Sequence, residues 1–325
     1  MNTKYDKIAL LIIFSYDDSV RDNIRWTLPG IGIDLYHSYN YVRTLGVDKI
    51  LVITDIILDL HVGPLRNTIA RGIVDTNIIS IITNIKKNNN YWYYTHKNQL
   101  IEKIKKYVNN SDHIFIYYSG HASYNTLILP KVLKSFSYQD EATDINKDLY
   151  NANNFMSDII NNAQYNSQIF FILDCCQLSS MNLPYQLRND KYHLYTSIKF
   201  NDKSRIYPKQ EIICITSSSI NENSLIASHG SVFSSIIFKI LNNLYYMDNY
   251  LPDNYNIDDK RINYYSLKYI LNILNSKCSK VNDQTSNIYV SYPNLKMIWS
   301  WIIGKTKALN IEFDHIGKTI QITKK

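Results

Sequence analysis

Two apolar runs of strand length in this sequence each end close to a chemically reactive side chain. The first run, Phe115 to Tyr118, is followed by His121, and the second, Ile169 to Leu173, is followed by Cys176. Continuous apolar runs are typical of strands buried in a parallel sheet, and such sheets bind ligands at the edge where their strands end. The pattern therefore predicts an open α/β sheet with a histidine and a cysteine at one edge, which is how a cysteine nucleophile site is built.

Four further segments have the length and composition of strands, and stretches with helical spacing lie between most of them. These strand candidates are Lys7 to Phe14, Lys49 to Thr54, Glu211 to Ile215 and Asn287 to Val290. Strands that alternate with helices predict a mostly parallel α/β sheet with helices on both of its faces. Together with the two runs above, the sheet is expected to contain about six strands.

The chain is long enough to bury one large core, because 45% of its 325 residues are hydrophobic. We expect a single domain that spans residues 1–325. Its larger segment, 1–185, holds the histidine and the cysteine, and residues 211–325 complete the sheet. Between them, residues 186–210 are basic and irregular, and they are predicted to form a loop that joins two halves of one sheet.

Composition argues against several other classes of protein. No apolar run reaches the roughly 18 residues of a membrane span, so no membrane partner is expected. Four cysteines in a chain this long, two of them adjacent, favour free thiols in a reducing compartment and a cytoplasmic location. A net charge of +7 and 28 tyrosines leave a basic nucleic-acid-binding protein as an alternative, but no recognised motif orders these residues and nucleic acid is not the expected partner.

The second run ends in two adjacent thiols that are expected to have different surroundings. Side chains alternate between the two faces of a strand, so Asp174 and Cys176 point one way and Cys175 points the other. Cys176 lies one step further into the loop and is the better candidate for a nucleophile. The alternative is a pair of buried structural cysteines, which is common for this residue type.

His121 supplies the base that a cysteine nucleophile requires. A histidine near neutral pH accepts the thiol proton and later donates it to the leaving amine. A lone histidine after a strand is commonly only a polar end residue, but here a second predicted strand also ends in a reactive group. The backbone N–H groups near Gly120, Ala122 and Cys176 are candidates for an oxyanion hole.

Both strand ends resemble the active-site motifs of the metacaspases, the caspase-like cysteine peptidases of plants, fungi, protists and some viruses. The family's Tyr-Ser-Gly-His-Gly stands here as Tyr118 to Ala122, and its Asp-(Ser/Cys)-Cys-His-Ser-Gly stands as Asp174 to Ser179. The matching segments cover most of the chain and occur in the same order as in the family. The sequence resembles a type I-like metacaspase without an N-terminal Pro-rich extension. Its other matches are Ala9 to Ile12, Leu28 to Asp34, Met181 to Tyr185, Ile212 to Ser217, Gly230 to Phe233 and Ser291 to Leu295.

The resemblance implies a caspase-like fold and a cysteine endopeptidase that cleaves after Arg or Lys through a thioester acyl-enzyme. Cys176 looks like the nucleophile and His121 like the general base. Asp34 and Asp174 match the two acidic residues that line the family's pocket for the side chain before the cut bond, and two carboxylates select Arg or Lys. A bound Arg or Lys is also expected to cancel acidic charge and so favour the thiolate. The implied partners are protein or peptide substrates, and the protein is expected to be a monomer.

Departures from the family pattern bear on activity and on calcium. The glycine after the histidine is Ala122, and the loop that begins at Gln177 is one residue shorter. The positions that best match the family's calcium-binding aspartates are Asn153, Asn154 and Asn182, whose neutral amide oxygens predict a weak or lost site. No cofactor is therefore expected to be required, and activity is predicted without calcium or only with high calcium. Four acidic residues nearby could substitute, although a solvated loop is the favoured interpretation: Asp140, Glu141, Asp144 and Asp148.

Some family members cleave themselves in the loop after the catalytic strand. The corresponding loop here holds five basic candidate positions, namely Arg188, Lys191, Lys199, Lys203 and Arg205. The altered loops around Ala122 and Gln177 keep a second interpretation open. In it, the chain is a catalytically impaired metacaspase homologue that acts as a binding or regulatory protein.

Overall fold

Sixteen strands and six helices make up the part of the chain that the structure describes. The computed structural model describes residues 5–16, 28, 30–55, 76–130, 149–178, 181–189, 196–200, 207–219, 221–227, 230–249, 267–282, 284–292, 298, 301–302, 309–311 and 322–324. The strands are β1 (Lys7–Ile13), β2 (Lys49–Thr54), β3 (Tyr91–Tyr93), β4 (His113–Ser119), β5 (Ala122–Ser123), β6 (Thr126–Ile128), β7 (Leu149–Asn151), β8 (Gln168–Asp174), β9 (Tyr185–Asn189), β10 (Thr196–Phe200), β11 (Glu211–Thr216), β12 (Ile226–Ala227), β13 (Gly230–Ser231), β14 (Asn287–Val290), β15 (Leu309–Ile311) and β16 (Ile322–Lys324). The helices are α1 (Ile31–Thr44), α2 (Thr76–Lys87), α3 (Lys97–Val108), α4 (Ala152–Asn162), α5 (Val232–Asn249) and α6 (Leu267–Asn282). Within these ranges, no helix is both long enough and apolar enough to cross a membrane.

The central sheet has nine strands, parallel over most of its width and antiparallel at one margin. The strand order is β10-β9-β14-β11-β8-β4-β1-β2-β3. The six adjacent strands from β11 to β3 run in one direction. At the other margin β14 pairs with β11, β9 pairs with β14 and β10 pairs with β9, and each of these pairings is antiparallel. Neighbouring parallel strands end at the same edge of a sheet, so the loops that follow β1, β4 and β8 lie beside one another.

The sheet separates two apolar cores. Helices α1, α2, α5 and α6 cover one face and form the first core, and helices α3 and α4 cover the other face and form the second core. Side chains alternate along each strand: on β8, Phe170 and Ile172 enter the first core, and Ile169 and Phe171 enter the second. Because both faces are covered, the central strands are apolar along their whole length, which is why they were recognisable in the sequence.

The predicted fold class, a mostly parallel α/β sheet with helices on both faces, is confirmed, and all six predicted strands are present. The sheet has three additional strands, which are β3, β9 and β10. Two of them occupy part of residues 186–210, so the prediction that this whole stretch is a loop is wrong. Their sequences, YQLRN and TSIKF, lack the continuous apolar run of a central strand because strands near a sheet margin are less completely covered.

A small three-stranded sheet adjoins the edge where β4 ends. β5 and β6 form a hairpin in which Ala122 lies opposite Leu127, and β7 pairs with β6. The turn residues Tyr124 and Asn125 have φ values of 46° and 61°, as a two-residue hairpin turn with two left-handed positions requires. The acidic residues that were predicted to form a solvated loop lie outside the described residues: Asp140, Glu141, Asp144 and Asp148.

Candidate active site

The ends of β4 and β8 bring the two predicted reactive residues to one edge of the sheet. Ser119, the last residue of β4, lies opposite Asp174, the last residue of β8. The Gly120 N–H continues this pairing with a hydrogen bond of 3.3 Å to the Asp174 carbonyl. His121 and Cys176 each stand two residues beyond the Ser119–Asp174 pair, and both side chains are half-buried. The register of two parallel strands therefore sets an imidazole and a thiol at equivalent positions.

The adjacent cysteines have different environments. Cys175 is 1% exposed and packs in the second core, whereas Cys176 is half-buried at the edge. The Cys175 N–H donates to the Ser217 hydroxyl over 3.0 Å, and the Cys175 carbonyl accepts hydrogen bonds from the Ser217 and Ser218 hydroxyls. Burial raises the pKa of the Cys175 thiol well above its usual value, so this thiol stays protonated. The alternation of side chains predicted this difference between the two residues.

The Cys176 sulfur contacts the segment that follows β11. The Ser224 N–H donates a hydrogen bond to this sulfur over 3.3 Å. Burial raises the pKa of the Cys176 thiol and the charge of Asp174 raises it further, while the hydrogen bond from Ser224 lowers it. Cys176 is therefore mainly a thiol near neutral pH, and a base or a neutralising charge would be needed to form the thiolate.

Asp34 and Asp174, the two predicted specificity residues, lie together beneath this edge and are called the acid pair below. Asp34 is in the first turn of α1, and both carboxyls are 0% exposed. The Asp34 carboxyl accepts hydrogen bonds from the Ser119 hydroxyl over 3.2 Å and from the Ser231 N–H over 2.9 Å. The Ser231 hydroxyl accepts a hydrogen bond from the Ser234 N–H over 3.3 Å, and the Ser234 hydroxyl donates to Asp174, so two serines link the two carboxyls.

Asp174 connects the acid pair to the predicted nucleophile. Its carboxyl accepts hydrogen bonds from the Ser224 hydroxyl over 2.7 Å and from the Ser234 hydroxyl over 2.5 Å. Ser224 is also the residue whose N–H reaches the Cys176 sulfur, so one residue contacts both groups. The serines around the acid pair are called the serine shell, which consists of Ser119, Ser224, Ser231 and Ser234.

The acid pair is too deeply buried to hold two full charges at low cost. Burial raises the pKa of Asp34 well above its usual range, and the neighbouring Asp174 raises it further. Burial also raises the pKa of Asp174, although the serine hydroxyls lower it. Two carboxyls in one buried site tend to share a proton. The predicted pocket residues are therefore together, but they are closed off from solvent, and a substrate side chain would reach them only after part of the serine shell moves.

His121 is held by two tyrosines, Tyr16 and Tyr118, which are called the tyrosine cradle below. The His121 and Tyr16 rings lie against each other, with centroids 4.5 Å apart and planes tilted by 50°. The Tyr16 hydroxyl accepts a hydrogen bond from the His121 N–H over 2.8 Å, and the Tyr118 hydroxyl donates to the His121 carbonyl over 3.1 Å. Burial raises the pKa of both tyrosines, so their hydroxyls remain protonated donors.

Gly120 and Ala122 differ as candidates for the oxyanion hole. The Gly120 N–H donates to the Asp174 carbonyl, so it would have to leave this bond to reach a substrate oxygen, and its place in an oxyanion hole stays a prediction. Gly120 is also needed for space, because a Cβ there would lie 2.7 Å from the Tyr16 hydroxyl and 2.9 Å from the Tyr118 hydroxyl. Ala122 occupies a non-hydrogen-bonded position of the β5–β6 hairpin, so its N–H points away from β6 and remains a predicted donor.

Gln177, one of the departures seen in the sequence, ties the loop after β8 to the β5–β6 hairpin. Its side-chain oxygen accepts hydrogen bonds from the Tyr124 N–H over 3.1 Å and from the Ser123 hydroxyl over 3.3 Å. Its carbonyl accepts a further bond from the Asn125 N–H over 3.1 Å. These three bonds hold together the loops that carry His121 and Cys176.

The three candidate calcium positions do not fit a cation site. The Asn153 side-chain oxygen already accepts a hydrogen bond from the Asn182 N–H over 2.8 Å. Asn154 lines a cavity of about 540 Å³ together with one basic residue, Lys97, and one acidic residue, Asp158. Nowhere in the described ranges do three or more His, Cys, Asp or Glu side chains form a group that could hold a metal ion. Calcium takes six to eight oxygens with carboxylates among them, which these asparagines do not provide.

The five candidate self-cleavage positions fall into two groups. The backbone of Arg188 is in β9 and that of Lys199 is in β10, where the two strands pair with each other. Each of these residues would have to leave the sheet before its peptide bond could enter an active site. The other three candidates lie outside the described residues: Lys191, Lys203 and Arg205.

Comparison with known proteins finds similarity in structure but none in sequence. No protein-family model matches the chain, and no curated protein matches it. Caspase-1 from Spodoptera frugiperda is similar, with 11% identity, a TM-score of 0.43, and coverage of 89% of this chain and 87% of that chain. Protein GSU0716 from Geobacter sulfurreducens is also 11% identical, with a TM-score of 0.45 and coverage of 87% of this chain and 92% of that chain. At this level of similarity, the residues at the sheet edge carry the functional assignment.

The sequence patterns did not single out Tyr16 or Ser224. Tyr16 follows β1, which is the neighbour of β4, so the rule that parallel strands end at one edge could have found it. Ser224 lies in a polar segment with other serines nearby. Nothing in such a segment distinguishes a serine that bonds a buried carboxyl from one that faces water.

Proposed function

We propose that the chain is a metacaspase-like cysteine endopeptidase that cleaves after Arg or Lys. The proposal rests above all on one observation: His121 and Cys176 each stand two residues beyond the paired strand ends Ser119 and Asp174. A half-buried imidazole and a half-buried thiol at one sheet edge are the two groups that thiol-based acyl transfer needs. The acid pair beside the thiol supports a cationic side chain before the cut bond.

In the proposed reaction Cys176 is the nucleophile and His121 is the general base. His121 accepts the thiol proton as the sulfur adds to the carbonyl carbon of the scissile peptide bond, and the Ala122 N–H donates to the negative oxygen that forms. The C–N bond then breaks, and His121 gives the proton to the leaving amine, so a thioester remains on Cys176. Water adds to the thioester with His121 as base, and the carboxylic acid product and the free thiol are released.

The acid pair is proposed to select the substrate and to assist the nucleophile. A guanidinium or ammonium group that enters this site replaces the hydroxyl of Ser224 at Asp174 and supplies the positive charge that lets both carboxyls ionise. The same charge offsets the effect of Asp174, which raises the pKa of the Cys176 thiol. Binding of a basic side chain therefore favours the thiolate at the moment when a scissile bond is present.

A second candidate function is that of a catalytically impaired homologue that binds partners through the same fold. The complete burial of Asp34 and Asp174 favours it, because carboxyls that never become accessible serve only the interior. In that case no basic side chain would enter the site, and the serine shell would stay closed. The two candidates differ in one observable, which is turnover of a basic substrate.

Hydrolysis of an arginyl-coumarin peptide by the purified chain tests the proposal. We expect turnover of arginyl and lysyl peptides but not of an aspartyl peptide, and a fall of about a thousandfold or more in Cys176→Ser and His121→Ala. Cys214→Ala is the matched control, because Cys214 is a buried thiol of β11 in the second core. Activity is expected to persist when calcium is chelated. A folded chain without turnover at any calcium concentration would favour the second candidate.

We propose three further properties, which are a cytoplasmic location, a monomeric state and self-cleavage. The four cysteines are free thiols, which suits the reducing conditions of the cytoplasm. We propose that the protein acts as a monomer on protein or peptide substrates. Self-cleavage is proposed at Lys191, Lys203 or Arg205, and it requires that shorter fragments of the active protein appear on a gel while a Cys176→Ala control stays intact.

A further inference from the structure

A buried carboxyl holds the chain where β1 ends. Asp55, the residue directly after β2, is 3% exposed. Its two oxygens accept hydrogen bonds from the Ser15 N–H over 2.7 Å and from the Tyr16 N–H over 2.6 Å. Tyr16 has a φ of 59°, in the left-handed region that residues other than glycine adopt only when their surroundings enforce it. By accepting both N–H groups, Asp55 provides that enforcement.

This backbone conformation directs the Tyr16 hydroxyl into the β5–β6 hairpin. The hydroxyl accepts a hydrogen bond from the His121 N–H over 2.8 Å and donates one to the Ile128 carbonyl over 2.5 Å. On the other side of the same residue pair, the Ile128 N–H bonds the His121 carbonyl directly over 3.0 Å. A hydrogen-bonded antiparallel pair normally exchanges two direct bonds. Here the tyrosine hydroxyl takes the place of one of them.

The inserted hydroxyl fixes the main chain of His121, and the Tyr16 ring contacts its imidazole. The two ring centroids are 4.5 Å apart. Gly120 leaves the space for this contact, since a Cβ there would lie 2.7 Å from the hydroxyl. A phenylalanine would fill the same volume as Tyr16, but it would leave the His121 N–H and the Ile128 carbonyl without their bridging partner. The hydroxyl therefore has a role that apolar packing does not explain.

We propose that Tyr16 is a positioning residue that fixes His121 for proton transfer with Cys176, and that Asp55 acts through Tyr16 by holding its backbone. This inference rests on the proposed function. The Tyr16 hydroxyl meets the main chain of the histidine, so its effect on the chemistry passes through His121. Asp55 lies one step further away and affects the chemistry only through the conformation of Tyr16.

Three variants separate positioning from packing. Tyr16→Phe keeps the aromatic ring and removes the hydroxyl bridge. Asp55→Asn keeps the size of the side chain but offers one acceptor oxygen where two N–H groups need acceptors. Tyr41→Phe is the matched control: Tyr41 is fully buried, donates its hydroxyl to the Ile302 carbonyl over 3.1 Å, and lies in the first core on the opposite face of the sheet.

Steady-state kinetics with an arginyl-coumarin peptide measure the catalytic effect. We expect kcat to fall about tenfold to a hundredfold in Tyr16→Phe and in Asp55→Asn, because a displaced base transfers protons poorly. KM is expected to change little, since the acid pair binds the substrate side chain on the other face of the sheet. Tyr41→Phe is expected to keep the wild-type kcat. Equal kcat values for Tyr16→Phe and Tyr41→Phe would overturn the proposal.

Nuclear magnetic resonance of the His121 ring tests the same inference without catalysis. The ring current of Tyr16 shifts the ring-proton resonances of His121, and their disappearance in His121→Ala identifies them. Tyr16→Phe and Asp55→Asn are expected to move these resonances toward the positions of an exposed histidine, while Tyr41→Phe leaves them in place. If the His121 resonances move in these variants but the wild-type chain hydrolyses no peptide, Tyr16 does position His121 and the proposed function is wrong. Unmoved resonances overturn the positioning role whatever the activity.

Discussion

The two faces of the sheet support the reactive edge in different ways. On the face of α1 and α5, the serine shell surrounds the acid pair with small side chains that rotate about a single bond to their hydroxyls. On the face of α3 and α4, the tyrosine cradle holds His121 with large rings that also belong to the second core. His121 and Cys176 stand at the edge where these two faces meet.

This difference separates two tasks. A serine hydroxyl can rotate to another acceptor without leaving a void, whereas a buried tyrosine cannot move without disturbing the packing around it. The serine shell is therefore suited to admit and recognise a charge, and the tyrosine cradle is suited to hold a fixed geometry. Changes on the serine side should alter which substrates are cleaved, and changes on the tyrosine side should alter how fast any substrate is cleaved.

Asp174→Asn should have the largest effect, and it should change the selectivity for a charged side chain, which we assign to the face with the serine shell. We expect kcat/KM for an arginyl peptide to fall about a hundredfold, because a buried partner of the cationic side chain has lost its charge. For a citrullinyl peptide, which has the same shape without the charge, kcat/KM should stay near its low starting value. The ratio of the two values, measured by coumarin release, reports selectivity.

Tyr16→Phe is the matched control from the other face. It should lower hydrolysis of the two peptides by the same factor, because it displaces the base and leaves the recognition of charge intact. Equal losses for both peptides in Asp174→Asn would contradict the assignment of selectivity to the acid pair.

Alanine substitutions at two glycines should destabilise both faces. A Cβ at Gly120 would lie 2.7 Å from the Tyr16 hydroxyl, and one at Gly230, where φ is 91°, would lie 2.8 Å from an Asp34 oxygen. We expect each substitution to lower the free energy of unfolding by about 2 kcal/mol in urea titrations. Gly120→Ala should mainly lower kcat, and Gly230→Ala should mainly raise KM for arginyl peptides. A Gly120→Ala protein as stable and active as the wild type would show that the tyrosine cradle is not tightly packed.

The acid pair should also make stability depend on pH. Burial raises the pKa of Asp34 and Asp174, and it raises the pKa of Asp55 to about 6. Between the unfolded and the folded pKa values of these groups, the folded protein therefore binds more protons than the unfolded chain. The groups contribute stability at acid pH, and this stability is lost as the pH rises through the folded pKa. The Tm of the wild type, relative to that of Asp34→Asn, is expected to rise as the pH falls from 8 to 5. A constant or falling difference would mean that Asp34 is ionised at little cost.

The smallest expected effect is on the reactivity of Cys176. Iodoacetamide should modify this residue in the native protein, since the other three cysteines are buried. Arginine amide is expected to speed the reaction about threefold to tenfold at neutral pH, by offsetting the charge of Asp174. Norleucine amide, which is uncharged in its side chain, is the control and should have no effect. An unchanged rate with arginine amide would remove the proposed link between substrate charge and the thiolate.

The sequence predicted the central sheet because strands covered on both faces must be apolar along their length. β1, β4 and β8 follow that rule, and each was found as a continuous run. β9 and β10 were missed because their alternating polar and apolar residues resemble those of an exposed loop. Parallel strands end at the same edge of a sheet, and this is why His121 and Cys176 could be expected at one edge.

The surroundings of the candidate site could not be predicted to the same degree. The sequence contains Asp34 and Asp174, but nothing in it states that four serines from separate elements close over them. The Tyr16 hydroxyl bridge depends on a left-handed residue and on a buried carboxyl 39 positions away in sequence. Such contacts depend on how segments that are distant in sequence pack together after folding, and the periodicity and motif spacing of a sequence do not predict them.

Covalent labelling with an arginyl acyloxymethyl ketone peptide, read by intact mass and peptide mapping, tests most directly whether His121 and Cys176 act on one carbonyl. We predict one adduct per chain on Cys176, formed rapidly in the wild type, slowed strongly in His121→Ala and absent in Cys176→Ser. An adduct that forms equally fast in His121→Ala, or one located on another residue, would contradict the shared site.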